Sequence, residues 1–182
     1  EDNDIYNHTY YGIQCTGTLA TRISGNRINN NTRVGIICFM TSAPEIYNNT
    51  IYDNLQFGIE AAESSKPHVY KNIIYRNGRS GVGNFDDSAS LIENNSISNS
   101  TQNGVQNSQT SKSRVIHNTI TECHFMGIYN SVTAAPQIID NDIFSNDNYG
   151  IECMASSAGV IQSNRIFMNR GDGIGFHDLS KP

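Results

Sequence analysis

The sequence has no apolar run near the ~20 residues that cross a bilayer, so no membrane association is expected. It has no basic excess either. Lys and Arg number 12 against 17 Asp and Glu, the net charge is -5, and the basic residues are scattered. A nucleic-acid partner, which needs clustered cations for its phosphates, is therefore not expected. The 4 Cys and 5 His form no Cys-x-x-Cys motif, and the histidines do not converge, so no metal centre and no cofactor are expected. No segment keeps a 3.6-residue apolar rhythm over a helical length, and leucine is scarce, which argues against helical and leucine-rich repeats. An initiator methionine and a signal peptide are also missing. The first residue enters mid-repeat, so the chain reads as a piece of a longer protein with flanking domains.

What is present is a 23-residue period without insertion or deletion. Asparagine recurs at Asn3, Asn26, Asn49, Asn72, Asn95, Asn118, Asn141 and Asn164. Isoleucine follows two places later, from Ile5 and Ile28 to Ile143 and Ile166. Glycine follows at nine places, from Gly12 and Gly35 to Gly150 and Gly173, each succeeded by Ile or Val. A fourth column holds Ile23, Ile46, Val69, Ile92, Val115, Ile138 and Ile161. β-Branched columns favour strands, and Gly, Asn and Ser favour turns. Three short strands fit each repeat. The fold class is thus all-β, a single-stranded right-handed parallel β-helix of eight coils filling residues 1–182, with handedness from the crossover preference of parallel strands. Stacked coils set each column residue against its copy about 4.8 Å away, giving apolar ladders inside and an amide ladder of asparagines at a turn. The glycine column should mark a positive φ or a close approach.

Cys15, Cys38 and Cys153 share one inward column, two residues after the ladder aliphatic. They read as buried, reduced thiols, since stacked Cβ atoms at about 4.8 Å stand farther apart than a disulfide prefers. Unpaired cysteines favour an intracellular compartment.

The repeat Asn-x-Ile-x-x-Asn-x-x-x-Gly-Ile followed by Ser-x-Pro-x-Ile resembles the parallel β-helix repeat of the carbohydrate-binding and sugar-hydrolase type, over essentially the whole chain. Residues 1–13 also look like coils of the β-helix-bearing F-box proteins, which the resemblance implies would recognise substrates of a ubiquitin ligase. Pectate lyases, polysaccharide hydrolases and alginate epimerases share related folds, so the resemblance equally implies a carbohydrate-active enzyme (polysaccharide lyase, hydrolase or epimerase).

Catalysis by such an enzyme needs acids or bases gathered on an outer face. The outward column after the glycine reads Gln14, Ile37, Glu60, Gly83, Gln106, Tyr129, Glu152 and Gly175. Glu60 and Glu152 are four coils apart, about 19 Å, too far to pair. Glu63 and Asp86 occupy one turn column in adjacent coils, with Asp87 beside them; these are the catalytic candidates if the chain is an enzyme, and a calcium candidate, since that ion takes several oxygens. The five histidines fall in five columns and suggest no acid–base pair, and the unbroken period leaves no long loop to wall a groove. The aromatics are patterned instead. Tyr47 and Tyr70 stack in adjacent coils beside His68, Glu45 and Arg22, and Tyr52 and Tyr75 stack three places after the asparagine. They are expected to form one patch suited to a protein or glycan partner. The sequence therefore favours a non-catalytic recognition module over an enzyme.

Overall fold

A computed structural model describes residues 1–17, 21–178, 180 and 181. These residues form strands of three or four residues and no helix, so no helix is long and apolar enough to cross a membrane. The strands stack into three parallel sheets. Sheet 1 runs from Asp4–Tyr6 to Arg165–Phe167 and sheet 2 from Ile13–Thr16 to Ile174–Phe176, each with eight strands. Sheet 3 runs from Arg22–Ser24 to Val160–Gln162 with seven. The solenoid thus makes seven full turns plus two strands of another. The expected eighth coil lacks its third strand, which would fall past residue 182.

Every strand pairs in parallel with its copy one repeat away, as in Ile51↔Ile74 on sheet 1 and Val115↔Ile138 on sheet 3. The centre of each three-residue strand on these two sheets points inward, and the twelve largest fully buried side chains are all ladder isoleucines. Burying one such side chain contributes roughly 1.5–3 kcal/mol. Toward the ends, Ile5, Ile13, Ile161 and Ile166 are only partly buried.

Three corners turn each coil, and each uses a left-handed residue. Asn48, Lys71, Asn94 and His117 precede the asparagine ladder at φ 53 to 55°. Asn30, Asp53 and Arg76 close sheet 1, and Met40, Glu63 and Asp86 follow sheet 2, again with positive φ. The ladder glycines are not among them. Their column is instead a close approach: a Cβ on Gly58 would stand 2.7 Å from the Gly81 carbonyl oxygen and 2.8 Å from both Asn77 Nδ2 and Ile74 Cγ2.

The asparagine ladder forms as the period implies. Asn95 Nδ2 donates to Asn118 Oδ1 at 3.0 Å and to the Val69 and Glu93 carbonyls at 2.9 and 3.0 Å. Its Oδ1 accepts from the backbone N–H and side-chain amide of Asn72. Two further ladders lie in columns that the sequence breaks. One links Asn31, Asn54 and Asn77, passes Ser100 and Cys123, and resumes at Asn146 and Asn169. The other runs inside sheet 2, where Asn84, Asn107 and Asn130 share the column of the cysteines; Asn130 donates to Cys153 Sγ at 3.3 Å. The column is therefore not uniformly apolar. All four cysteines are buried and free, and burial pushes the Cys123 thiol up to about 12.

Candidate functional site

The outward residues of sheet 2 line up along the solenoid, one per coil, and at Gln106 and Tyr129 they form the floor of a cavity. Its wall is the pair of residues before each of two ladder glycines, Gln102 and Asn103, Phe125 and Met126. The walls are side chains rather than long loops, so the unbroken period did not rule out a concavity after all.

The outer face of sheet 2 divides in two. In the N-terminal half, Val34, Ile37 and Phe57 pack as a buried outer cluster with Tyr11, Phe39 and Phe85 against it. Phe57 and Phe85 meet edge-on at 5.4 Å and cross the floor above Gly83, where a Cβ would stand 2.7 Å from Phe85 Cε2 and 2.8 Å from Phe57 Cε1. Glu60 lies beside this plug; burial raises its carboxyl above the usual range, Arg79 opposes that, and Asp86 adds to it.

The C-terminal half carries the polar side chains Gln106, Tyr129 and Glu152 on its floor. Gln106 and Tyr129 are register partners on the floor, and Tyr129 faces Glu152 in the next coil. With Gln102, Asn103, Phe125 and Met126 from the wall, Gln106 and Tyr129 line a cavity of about 210 Å³. Glu152 is only 7% exposed. Its carboxylate accepts no hydrogen bond among the described residues, and His177 Nε2 lies 3.5 Å from Oε1. That nitrogen is itself buried and without a hydrogen-bond partner. Burial raises the Glu152 carboxyl above its ordinary value, and His177 offsets part of the rise. Tyr149 packs edge-on against His177 at 5.6 Å, and both reach over Gly175, where a Cβ would lie 2.9 Å from Tyr149 Cε1.

An acid and an imidazole therefore do meet on this face, contrary to the expectation that the acids gather with no base. They belong to different columns: Glu152 pairs in register with Gly175, and His177 lies two residues farther on, past the strand end. Column-by-column reading compares a residue with its copies, so a contact skewed across columns escapes it. The available signal was the glycine at Gly175, which clears the floor for neighbouring rings.

The acidic turn is built differently from a catalytic pair. Glu63 Oε2 accepts the Met40 backbone N–H at 3.0 Å, and Asp86 Oδ2 accepts that of Glu63 at 3.1 Å. Asp86 Oδ1 also takes the Gln109 side-chain amide at 2.8 Å, and Asp87 Oδ2 takes the Ser64 hydroxyl at 2.8 Å. Glu63 and Asp86 thus cap left-handed turn backbone in the neighbouring coil. Among the described residues no group of three or more His, Cys, Asp or Glu is arranged to hold a metal ion.

The tyrosines stack as read, but as two separate pairs. Tyr47 and Tyr70 lie on sheet 3, with centroids 4.9 Å apart and planes at 11°. Tyr52 and Tyr75 lie on sheet 1, at 5.0 Å and 5°. The asparagine corner separates them, so the expected single patch is two faces. His68 packs against Tyr70 at 4.4 Å and contacts Glu93 at 2.8 Å. Arg76 covers Tyr75 at 4.7 Å while two of its nitrogens engage Asp53.

A family model described as a right-handed β-helix region matches residues 1–89 and again 84–182. A comparison with curated proteins finds no match. Among solved structures, the periplasmic alginate epimerase AlgG is similar with TM-score 0.72 at 17% identity, over 94% of this chain and 47% of that one. Pectate lyase Pel9A is similar with TM-score 0.72 at 15% identity, over 93% and 51%. The A-module of the Azotobacter vinelandii mannuronan C-5 epimerase AlgE6 is similar with TM-score 0.73 at 14% identity, over 98% and 56%. The chain spans about half the length of these structures, and identities this low carry the fold alone.

Proposed function

The chain belongs to the right-handed β-helix family, and on that premise we propose that it binds an extended polysaccharide along the outer groove of sheet 2, in its C-terminal half. The observation that carries this reading is the open cavity between Gln106, Tyr129 and the wall at Phe125 and Met126. Sugar sites combine aromatic faces with a few placed polar groups, and this stretch offers both. The floor residues stack along the coil axis, so a linear polymer laid over them would meet one per coil, every ~4.8 Å. The three similar structures are named as enzymes of alginate, pectate and mannuronan, which supports a glycan as the ligand class.

The test pits this groove against the tyrosine faces. Binding of the full chain to a polysaccharide panel is measured for Tyr129→Ala and for Tyr70→Ala. Anchors of this kind are worth about 2 kcal/mol or more, so Tyr129→Ala should weaken binding at least tenfold while Tyr70→Ala leaves it unchanged. The reverse pattern would move the site to the face of Tyr47, Tyr70 and His68, or to Tyr52 and Tyr75, where stacked rings and arginine suit a protein partner.

Catalysis is the second reading, favoured by the contact of Glu152 with His177. Hydrolysis by two carboxylates has no support in the floor, since Glu60 and Glu152 stand four coils apart, about 19 Å, against the ~5–9.5 Å required. Proton transfer by one acid and one imidazole remains compatible with the geometry. New reducing ends or unsaturated products that vanish in Glu152→Gln and His177→Ala would establish turnover.

A further inference from the structure

Glu152 poses a physical question. A buried carboxylate normally accepts several hydrogen bonds, and an unpartnered one is costly to keep. Here the residue is 7% exposed, its carboxylate accepts no hydrogen bond among the described residues, and an imidazole nitrogen that is buried and without a hydrogen bond lies 3.5 Å from Oε1. Glu152 is the register partner of Tyr129, which lines the cavity. Polar groups left in this state at a concave surface are poised for a ligand.

The charge around them says which ligand. From Gln102 onward, the floor, the two wall positions before each glycine and the three after each strand hold no lysine or arginine. They do hold Asp172 and Asp178 besides Glu152. Arg170, the nearest arginine in sequence outside these positions, is engaged with Asp147 at 3.1 Å. A uronate or sulfated chain placed here would set its anions against the carboxylate of Glu152 with no lysine or arginine at these positions to neutralise them, and like charges brought together repel.

Resting on the groove reading above, we propose that this half of the groove is a subsite for a non-anionic sugar. Its hydroxyl or ammonium hydrogens donate to Glu152, and its apolar face lies against Tyr149 and Tyr129. His177 sets the far edge of the subsite, and Gln106 meets the next sugar along the chain. The ligand class differs from the alginate, pectate and mannuronan named for the similar structures.

Calorimetric titration of the full chain tests this with neutral glucan, mannan and chitosan oligomers against oligogalacturonate and oligomannuronate, each with and without calcium. Non-anionic oligomers should bind and both oligouronates should fail. Glu152→Gln should weaken the binding at least tenfold, with Ser96→Ala, on the outer face of sheet 1, as the unchanged control. Melting of Glu152→Gln confirms that it folds. Oligouronate binding equal to or tighter than that of the neutral chains, in either calcium condition, overturns the non-anionic subsite and leaves the groove reading standing. The same holds if neutral oligomers bind but Glu152→Gln and Tyr149→Ala leave their affinity intact. If no oligomer binds at all, the groove reading itself falls, and the subsite with it.

Discussion

Val132 sits at φ 62°, a left-handed backbone that a β-branched side chain tolerates badly. The same corner holds Glu63, Asp86 and Gln109 in earlier coils, and each uses a side-chain oxygen to accept the N–H of the residue one coil before. Val132 has no such oxygen. Val132→Asn should relieve the strain and extend the acceptor ladder to Gln109. A gain of about 1 kcal/mol is expected, read as a higher urea midpoint at unchanged slope. Glu152 poses the opposite case, a residue whose burial works against the fold. Its carboxyl is raised by burial, so the native state favours the protonated form. Below the unfolded value of about 4.3 both states hold the proton and burial costs nothing extra. As pH rises through the raised native value, that stability is lost. Glu152→Gln should therefore melt above the parent at pH 7, with the gap closing toward pH 4. Equal gaps at both pH values would show that the burial of charge at Glu152 is not what costs stability.

At the scale of the element, a strand of three residues buries one or two side chains and cannot stand alone. The corner ladders turn such strands into sheets. Removing Asn95 takes the acceptor from Asn72 and the donor from the Val69 and Glu93 carbonyls. Asn95→Ala should cost about 1–3 kcal/mol by denaturant melting. Asn164, half-buried at the last rung, donates to the Ile138 carbonyl and should cost less when replaced. The unbroken ladder was plain in the sequence, because every copy is asparagine. The second showed only as the later asparagine of the repeat motif, with no ladder read from it, because Ser100 and Cys123 interrupt its column. The ladder inside sheet 2 was hidden for a different reason: its column opens with Cys15 and Cys38, and Asn84, Asn107 and Asn130 fill only the middle before Cys153.

For the whole molecule, stability is close to a sum of coil terms and neighbour interfaces. Central coils have a neighbour on each side; in this chain Ile5, Ile13, Ile161 and Ile166 have less cover. Amide exchange should accordingly be slowest near Ile74, Ile97 and Ile120 and fastest in the first and last coils. Uniform protection along the chain would mean that it unfolds as one unit instead.

The sequence alone determined the parallel solenoid, its 23-residue period, the inward isoleucines and the stacked tyrosines. It could do so because each coil repeats the last, so a column residue meets its own copy and the column can be read without coordinates. Only the tertiary structure decided the rest. The ladder glycines are close approaches rather than left-handed turns, because the corners place their left-handed residues elsewhere. The acids at Glu63 and Asp86 cap backbone, because their turn points amides at them. Glu152 meets His177, and Tyr149 packs on that ring, because side-chain reach and the missing Cβ at Gly175 join residues from different columns. Such oblique contacts depend on size and direction in space, which a periodic pattern does not encode.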